Sequence, residues 1–176
     1  LQTTFGVINL ALVNGVPKVL TLKEMLTHYI NFQVEVISRR TAFDLKKAKE
    51  RAHILEGLVI AIDFIDEVIS IIRSSKTPAE AKSRLSERFD LSEAQADAIA
   101  QMRLIQLTGL EREKIEDELK ALKEKIAEFE DILANESRVL EIVDEELQEI
   151  KHKFADKRRT AIEMVSGEVD IEDLIP

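Results

Sequence analysis

From Leu22 onward, apolar or small side chains recur at steps of three and four: Leu22, Leu26, Tyr29, Ile37, Thr41, Leu45, Ala48, Ala52, Leu55, Val59, Ile62, Ile65, Ile69 and Ile72. A second series runs Ile115, Leu119, Leu122, Ile126, Phe129, Leu133, Leu140, Val143, Leu147, Ile150 and Phe154. That spacing lines one face of a helix. It predicts long helices over 21–74 and 110–155, each a rod on the order of 70 Å at a rise of ~1.5 Å per residue. Two rods of matched length in one chain can run out and back as an antiparallel pair. Segment 75–109 then sits at the far tip, and 1–20 and 156–176 sit at the base. The predicted fold class is mainly α: a long antiparallel two-helix coiled coil with a small helical tip, plus a short β-hairpin and a returning segment at the base.

Local signals sharpen the boundaries. Strand formers flank Asn14-Gly15, the dipeptide of a tight primed turn, so 4–20 reads as a hairpin. Thr21 with Glu24 forms a capping-box pattern at the first rod, and Ser92 with Gln95 repeats it in the tip. Thr77-Pro78 marks a helix start over 78–88. A further helix runs from Ser92 to about Gln106, and Thr108 with Glu111 starts the second rod. The stripe of that rod fails at Glu136, beside Asn135 and Ser137, which predicts a kink or a re-capped break. Gly57 inside the first rod costs ~1 kcal/mol against alanine, and close helix packing explains its presence. Past Phe154 the pattern dissolves, and Ile162, Met164, Val165, Val169 and Ile171 could form short strands.

Composition narrows the function classes. Charged residues make up 34% and aromatics 5% of the 176 residues, a profile of long helices with solvated faces. No cysteine is present, so no disulfide or thiolate metal site exists, and a reducing cytoplasm suits the chain. No apolar run reaches the ~18–20 residues of a membrane span. The abrupt, strand-like start without Met reads as a piece of a longer protein.

The net charge of −9 disfavours strong nucleic-acid binding by the chain as a whole. Residues 111–153 carry 15 acidic and 8 basic side chains, whereas 39–51 carry six basic and two acidic. Lys157, Arg158 and Arg159 add a basic knot, and together with Arg39 and Arg40 they are the candidates for a place near DNA. Solvation alone also accounts for such charged faces.

Chemistry is sparse. His28, His53 and His152 are scattered, five glycines make no phosphate loop, and Asp63, Asp66 and Glu67 sit among basic residues as solvated charges do. Tyr29, the single tyrosine, lies on the apolar stripe and reads as packing. No catalytic, cofactor-binding or metal residue is expected. The tip is different: segment 94–107 spreads Ala, Ile, Met and Leu over more than one face, so one face can cover the rods while another meets a second copy. Ala98, Met102, Ile105 and Leu107 are the candidate contact residues, with Leu104 as contact or core. A merely buried cap is the plain alternative.

Several blocks resemble a known family. Arg39-Arg40-Thr41-Ala42-Phe43-Asp44-Leu45, then Ala48, then Arg51-Ala52-His53-Ile54-Leu55-Glu56-Gly57-Leu58, are similar to the A subunits of bacterial DNA gyrase and topoisomerase IV, more closely to gyrase. So are Thr4-Phe5-Gly6, Met102-Arg103-Leu104, Leu107-Thr108-Gly109-Leu110-Glu111 and Asp156-Lys157-Arg158-Arg159-Thr160, in family order over nearly the whole chain.

The resemblance implies the C-terminal part of the breakage–reunion core of a type IIA topoisomerase, an ATP-hydrolysing isomerase. Its helix pair would carry an exit gate (C-gate) that docks on its twin, and the acidic second rod would repel the transported duplex. Partners implied are a second copy through the tip, a gyrase B subunit in an A2B2 heterotetramer, and double-stranded DNA. No membrane is implied. Mg²⁺ and ATP would enter through the B subunit, with no cofactor in this segment. The DNA-cleaving tyrosine would lie upstream, since Tyr29 does not match its motif, and a DNA-wrapping domain would follow Pro176. The chain by itself is therefore expected to be inactive. A topoisomerase IV segment, or a coiled-coil tether unrelated to strand passage, are the rival readings.

Overall fold

A computed structural model describes residues 5–103 and 109–160 of the chain. They divide into two units, Leu1–Val143 and Asp144–Pro176.

The first unit opens with strands β1 (Asn9–Val13) and β2 (Val16–Leu20), paired antiparallel with Val13 opposite Val16 and Asn9 opposite Leu20. Asn14 (φ 51°) and Gly15 (φ 79°) both take the left-handed conformation that the primed two-residue turn needs. Only Leu20 of β2 is buried, and Leu10, Leu12, Val16 and Val19 face solvent.

Helix α1 (Leu22–Asp63) begins where the capping residues put it. The Thr21 hydroxyl accepts the Glu24 N–H at 3.3 Å, and the Glu24 carboxylate accepts the Thr21 N–H at 2.7 Å. That backbone donor, first among its causes, holds the Glu24 carboxyl below its ordinary pKa. Early in α1, Leu22, Leu26 and Tyr29 are exposed, so the packing role expected of Tyr29 is not met within the described residues. From Ile37 the stripe is buried as expected, through Thr41, Ala48, Ala52 and Leu55.

The single outgoing rod expected over 21–74 is in fact two helices. Phe64 (φ −113°, ψ 35°) interrupts it, and α2 (Ile65–Ser74) starts without a side-chain cap. The Phe64 ring lies 5.6 Å from that of Phe89. Near the break the buried set moves from the expected Ile62, Ile65, Ile69 and Ile72 to Ala61, Val68 and Ile71. The reason is a change of partner: a strict heptad keeps facing one helix, whereas this end of the rod turns onto the cap.

The cap comprises α2, α3 (Pro78–Phe89) and α4 (Glu93–Ala100). Thr77 caps α3 with Pro78 in its first turn, Asp90 ends it in the left-handed conformation (φ 52°), and Ser92 with Gln95 closes a capping box on α4. Ala61, Val68, Ile71, Leu85, Leu91 and Ile99 form its core. α4 ends at Ala100, short of the expected Gln106, and the Thr108 cap lies outside the described residues.

Helix α5 (Gly109–Ala134) returns antiparallel on α1, with Ile115, Leu119, Leu122, Ile126 and Phe129 half-buried. The expected break falls at Asn135, whose side-chain amide donates to the Asp131 backbone carbonyl and carboxylate while its backbone carbonyl accepts the Arg138 N–H. Near the break the buried positions slip by one, to Ile132 and Val139 in place of Leu133 and Leu140. α6 (Glu136–Phe154) follows.

In the second unit, the last turn of α6 holds Lys151 and Lys153, cations that suit the negative helix terminus. Lys157, Arg158 and Arg159 follow it outside regular structure. The short strands expected from Ile162 to Ile171 lie outside the described residues.

Candidate functional site at the arm and its cap

Two layers of contact hold the first unit's functional surface. The first is the seam between α1 and α5. Small residues at Ala48 and Ala52 let the helices approach, and charged side chains flank the apolar seam. Arg51 grips Glu118 in a two-pronged contact at 2.7 and 2.9 Å, Lys49 meets Glu130 at 2.5 Å, Lys123 meets Glu56 at 2.9 Å, and Arg112 meets Asp63 at 2.6 Å. These pairs are largely exposed, so each contributes little to stability and weakens with salt. Their value is register, because each ties one position of α1 to one of α5.

The Arg51 hydrogen bonds hold the Glu118 carboxyl below its ordinary pKa, and the same contact raises that of Arg51. A lowered carboxyl contributes stability above its unfolded pKa and loses it as pH falls through the folded value. Glu118→Gln should therefore cost less than about 1 kcal/mol at neutral pH. It should also flatten the acid limb of a denaturation curve measured from neutral pH downward.

The second layer joins α4 to α1. Gly57 is buried, and a Cβ there would lie 2.8 Å from both Cβ and Cγ of Gln95. Gln95 is only 6% exposed yet fully engaged. Its side-chain amide donates to the His53 carbonyl at 2.7 Å, and its oxygen accepts the Ser92 N–H at 3.0 Å. The His53 ring nitrogen Nε2 lies 2.7 Å from the Ser92 hydroxyl, which also accepts the Gln95 N–H. On the other side of α4, Lys82 of α3 pairs with Asp97.

Of the expected tip residues, Ala98 is half-buried on α4, and Met102 is half-buried against the cap's own core. Met102 is therefore at least partly core. Leu104, Ile105 and Leu107 lie outside the described residues. Ala94 and Gln101, four before and three after Ala98, are exposed and share its helical face. Of the expected basic residues, Arg39 pairs with Glu35 of its own helix and Arg40 is exposed beside it. In the second unit, Arg158 donates to the Thr160 carbonyl at 2.9 Å and Arg159 lies 3.5 Å from Asp156.

The link through His53 has only a partial signature in the sequence. Gly57 signals a close approach and Ser92 with Gln95 a cap, but nothing local says that they meet. Among the described residues, no group of three or more His, Asp or Glu could hold a metal ion, and no helix is long and apolar enough to cross a membrane.

Residues 1–148 match the family profile of the DNA gyrase/topoisomerase IV A subunit. The chain is 60% identical over 175 residues to the DNA gyrase A subunit of Clostridium acetobutylicum, covering 99% of this chain and 21% of that protein. It is 60% identical over 176 residues to the gyrase A subunit of Halalkalibacterium halodurans, covering all of this chain and 21% of the relative. Against the gyrase A subunit of Staphylococcus epidermidis the identity is 56% over 177 residues, with 20% of the relative covered. The chain thus spans about a fifth of the length of these relatives.

Proposed function

The chain belongs to the family of DNA gyrase and topoisomerase IV A subunits, and from that premise we propose that it is the arm and exit-gate segment of a type IIA topoisomerase, of the gyrase kind. Two copies meet through their caps, hold a transported duplex between their arms, and release it when the caps part. What supports the reading most is similarity along the whole of this chain to a fifth of the length of gyrase A subunits, in a chain whose α1–α5 pair carries a compact cap with Ala94 and Gln101 exposed on one helix face.

The chemistry assigned to this segment is mechanical. The DNA-cleaving tyrosine belongs to another part of the full-length protein. ATP and Mg²⁺ enter through a B-type partner in an A2B2 assembly, with double-stranded DNA as substrate. Exposed Glu113, Asp117, Glu124 and Glu128 on α5 give the arm a negative face that repels the duplex and favours its exit. Arg39 and Arg40 in the first unit, and separately Lys157, Arg158 and Arg159 in the second, are the basic residues assigned to DNA contact. Ala94 and Ala98 are small enough to let two α4 helices approach closely.

The test has two arms. Sedimentation equilibrium of the 176-residue chain should give twice the chain mass, and Ala98→Arg should raise the dissociation constant at least ~100-fold, since a two-fold contact places two buried charges together. A monomer at every concentration would overturn self-association through the cap. In the full-length protein with its B-type partner, caps cross-linked shut should stop strand passage and leave DNA cleavage intact. A tether unrelated to passage would leave both intact.

A further inference from the structure

The contact between α4 and α1 does more than fill space. An eight-residue helix has no stability of its own in water, so its position is set by what holds it. Ile99 inserts into the cap core, and Asp97 pairs with Lys82 of α3. Both α2 and α3 follow the break at Phe64, where the arm's helix is interrupted and the new helix lacks a side-chain cap. His53 and Gly57 precede that break, within the continuous helix α1. Helix α4 therefore spans the interruption, with one attachment on the arm and one on the cap. Apolar contact across the break, through Ala61, is non-directional and tolerates rotation. The attachment at His53 is directional: ring nitrogen to Ser92 hydroxyl at 2.7 Å, backbone carbonyl to Gln95 amide at 2.7 Å, both over a glycine with no room for a methyl group.

We propose that His53, Ser92 and Gln95, seated on Gly57, form a latch that braces the cap against the arm across the Phe64 break and so positions α4. With the latch closed, arm and cap move as one body; with it open, α4 loses its register and the cap turns about Phe64. The proposal deepens the gate reading, because α4 carries Ala98, and the latch residues act there as positioning residues.

Two variants separate the latch from simple helix capping. Gln95→Glu keeps a side-chain oxygen able to accept the Ser92 N–H, and an acid suits the start of a helix. It removes the donor to the His53 carbonyl. His53→Ala removes the ring and leaves the α4 capping box intact. In both, α4 amides should exchange about tenfold faster, as expected for losing a hydrogen bond, while the α1–α5 pair exchanges as before. Spin labels on Glu50→Cys and Glu87→Cys, in a chain with no other cysteine and diluted with unlabelled chain, should report one narrow distance that broadens in both variants. His53→Gln, which can return a polar atom to the Nε2 position, should restore both readouts.

Unchanged α4 exchange with an unbroadened distance would overturn the latch. So would a His53→Gln protein that behaves like His53→Ala. Neither readout requires dimerisation, so a monomeric parent chain would overturn the gate reading alone.

Discussion

Leu85→Ala is expected to lower the thermal midpoint of the chain by roughly 6–12 °C, the largest effect of any single truncation in the cap. Leu85 has no exposed surface and sits in the core formed by Ala61, Val68, Ile71, Leu91 and Ile99. Truncating a buried leucine costs about 2–5 kcal/mol, with the higher end where surrounding side chains cannot collapse into the space. Here the neighbours come from four separate stretches of chain, held by the Thr77 and Ser92 caps and the Lys82–Asp97 pair. Calorimetry would read the midpoint. Amide exchange would then show the loss concentrated in α2–α4, with the α1–α5 seam protected. A midpoint within ~2 °C of the parent would mean that the cap core is slack.

Gly57→Ala is the second large effect, and its sign is the informative part. Alanine in a helix interior gains about 1 kcal/mol over glycine from propensity alone. Against this, the new methyl group would meet Gln95 Cβ and Cγ at 2.8 Å, close to the backbone end of the side chain. Moving α4 away breaks the hydrogen bond from the Gln95 side-chain amide to the His53 carbonyl and the ring contact to Ser92. Overpacking costs about 1–3 kcal/mol and each lost hydrogen bond about 0.5–1.5 kcal/mol. The net expectation is a destabilisation of about 1–3 kcal/mol, read as a lower urea midpoint at unchanged slope. A more stable Gly57→Ala protein would show that α4 can retreat at no cost, and the close approach would then have no structural role.

Much of the architecture is legible along the chain because its signals are local. Capping at Thr21, Thr77 and Ser92, the Asn14-Gly15 turn and the break near Asn135 each depend on residues within four positions of one another. The central stripes are equally readable, since Ile37 to Leu55 and Ile115 to Phe129 keep the same helix face turned inward. Where the partner changes, periodicity misleads: Ile62, Ile65, Ile69 and Ile72 keep the repeat but Ala61, Val68 and Ile71 are buried. Tyr29 and Leu26 also keep the stripe, yet remain exposed among the described residues.

By itself, then, the sequence determined the helical class, the turn and cap positions, the approach at Gly57 and, through its ordered blocks, the family. Helical period and capping act over a few residues, and the chain spells them out. Tertiary structure alone decided the break at Phe64, the slip of the buried face and the placing of Met102 against the cap core. It also joined His53 to Ser92 and Gln95, about forty positions away. Such contacts are set by which helix faces which, and that depends on the summed packing of the unit rather than on any window of sequence.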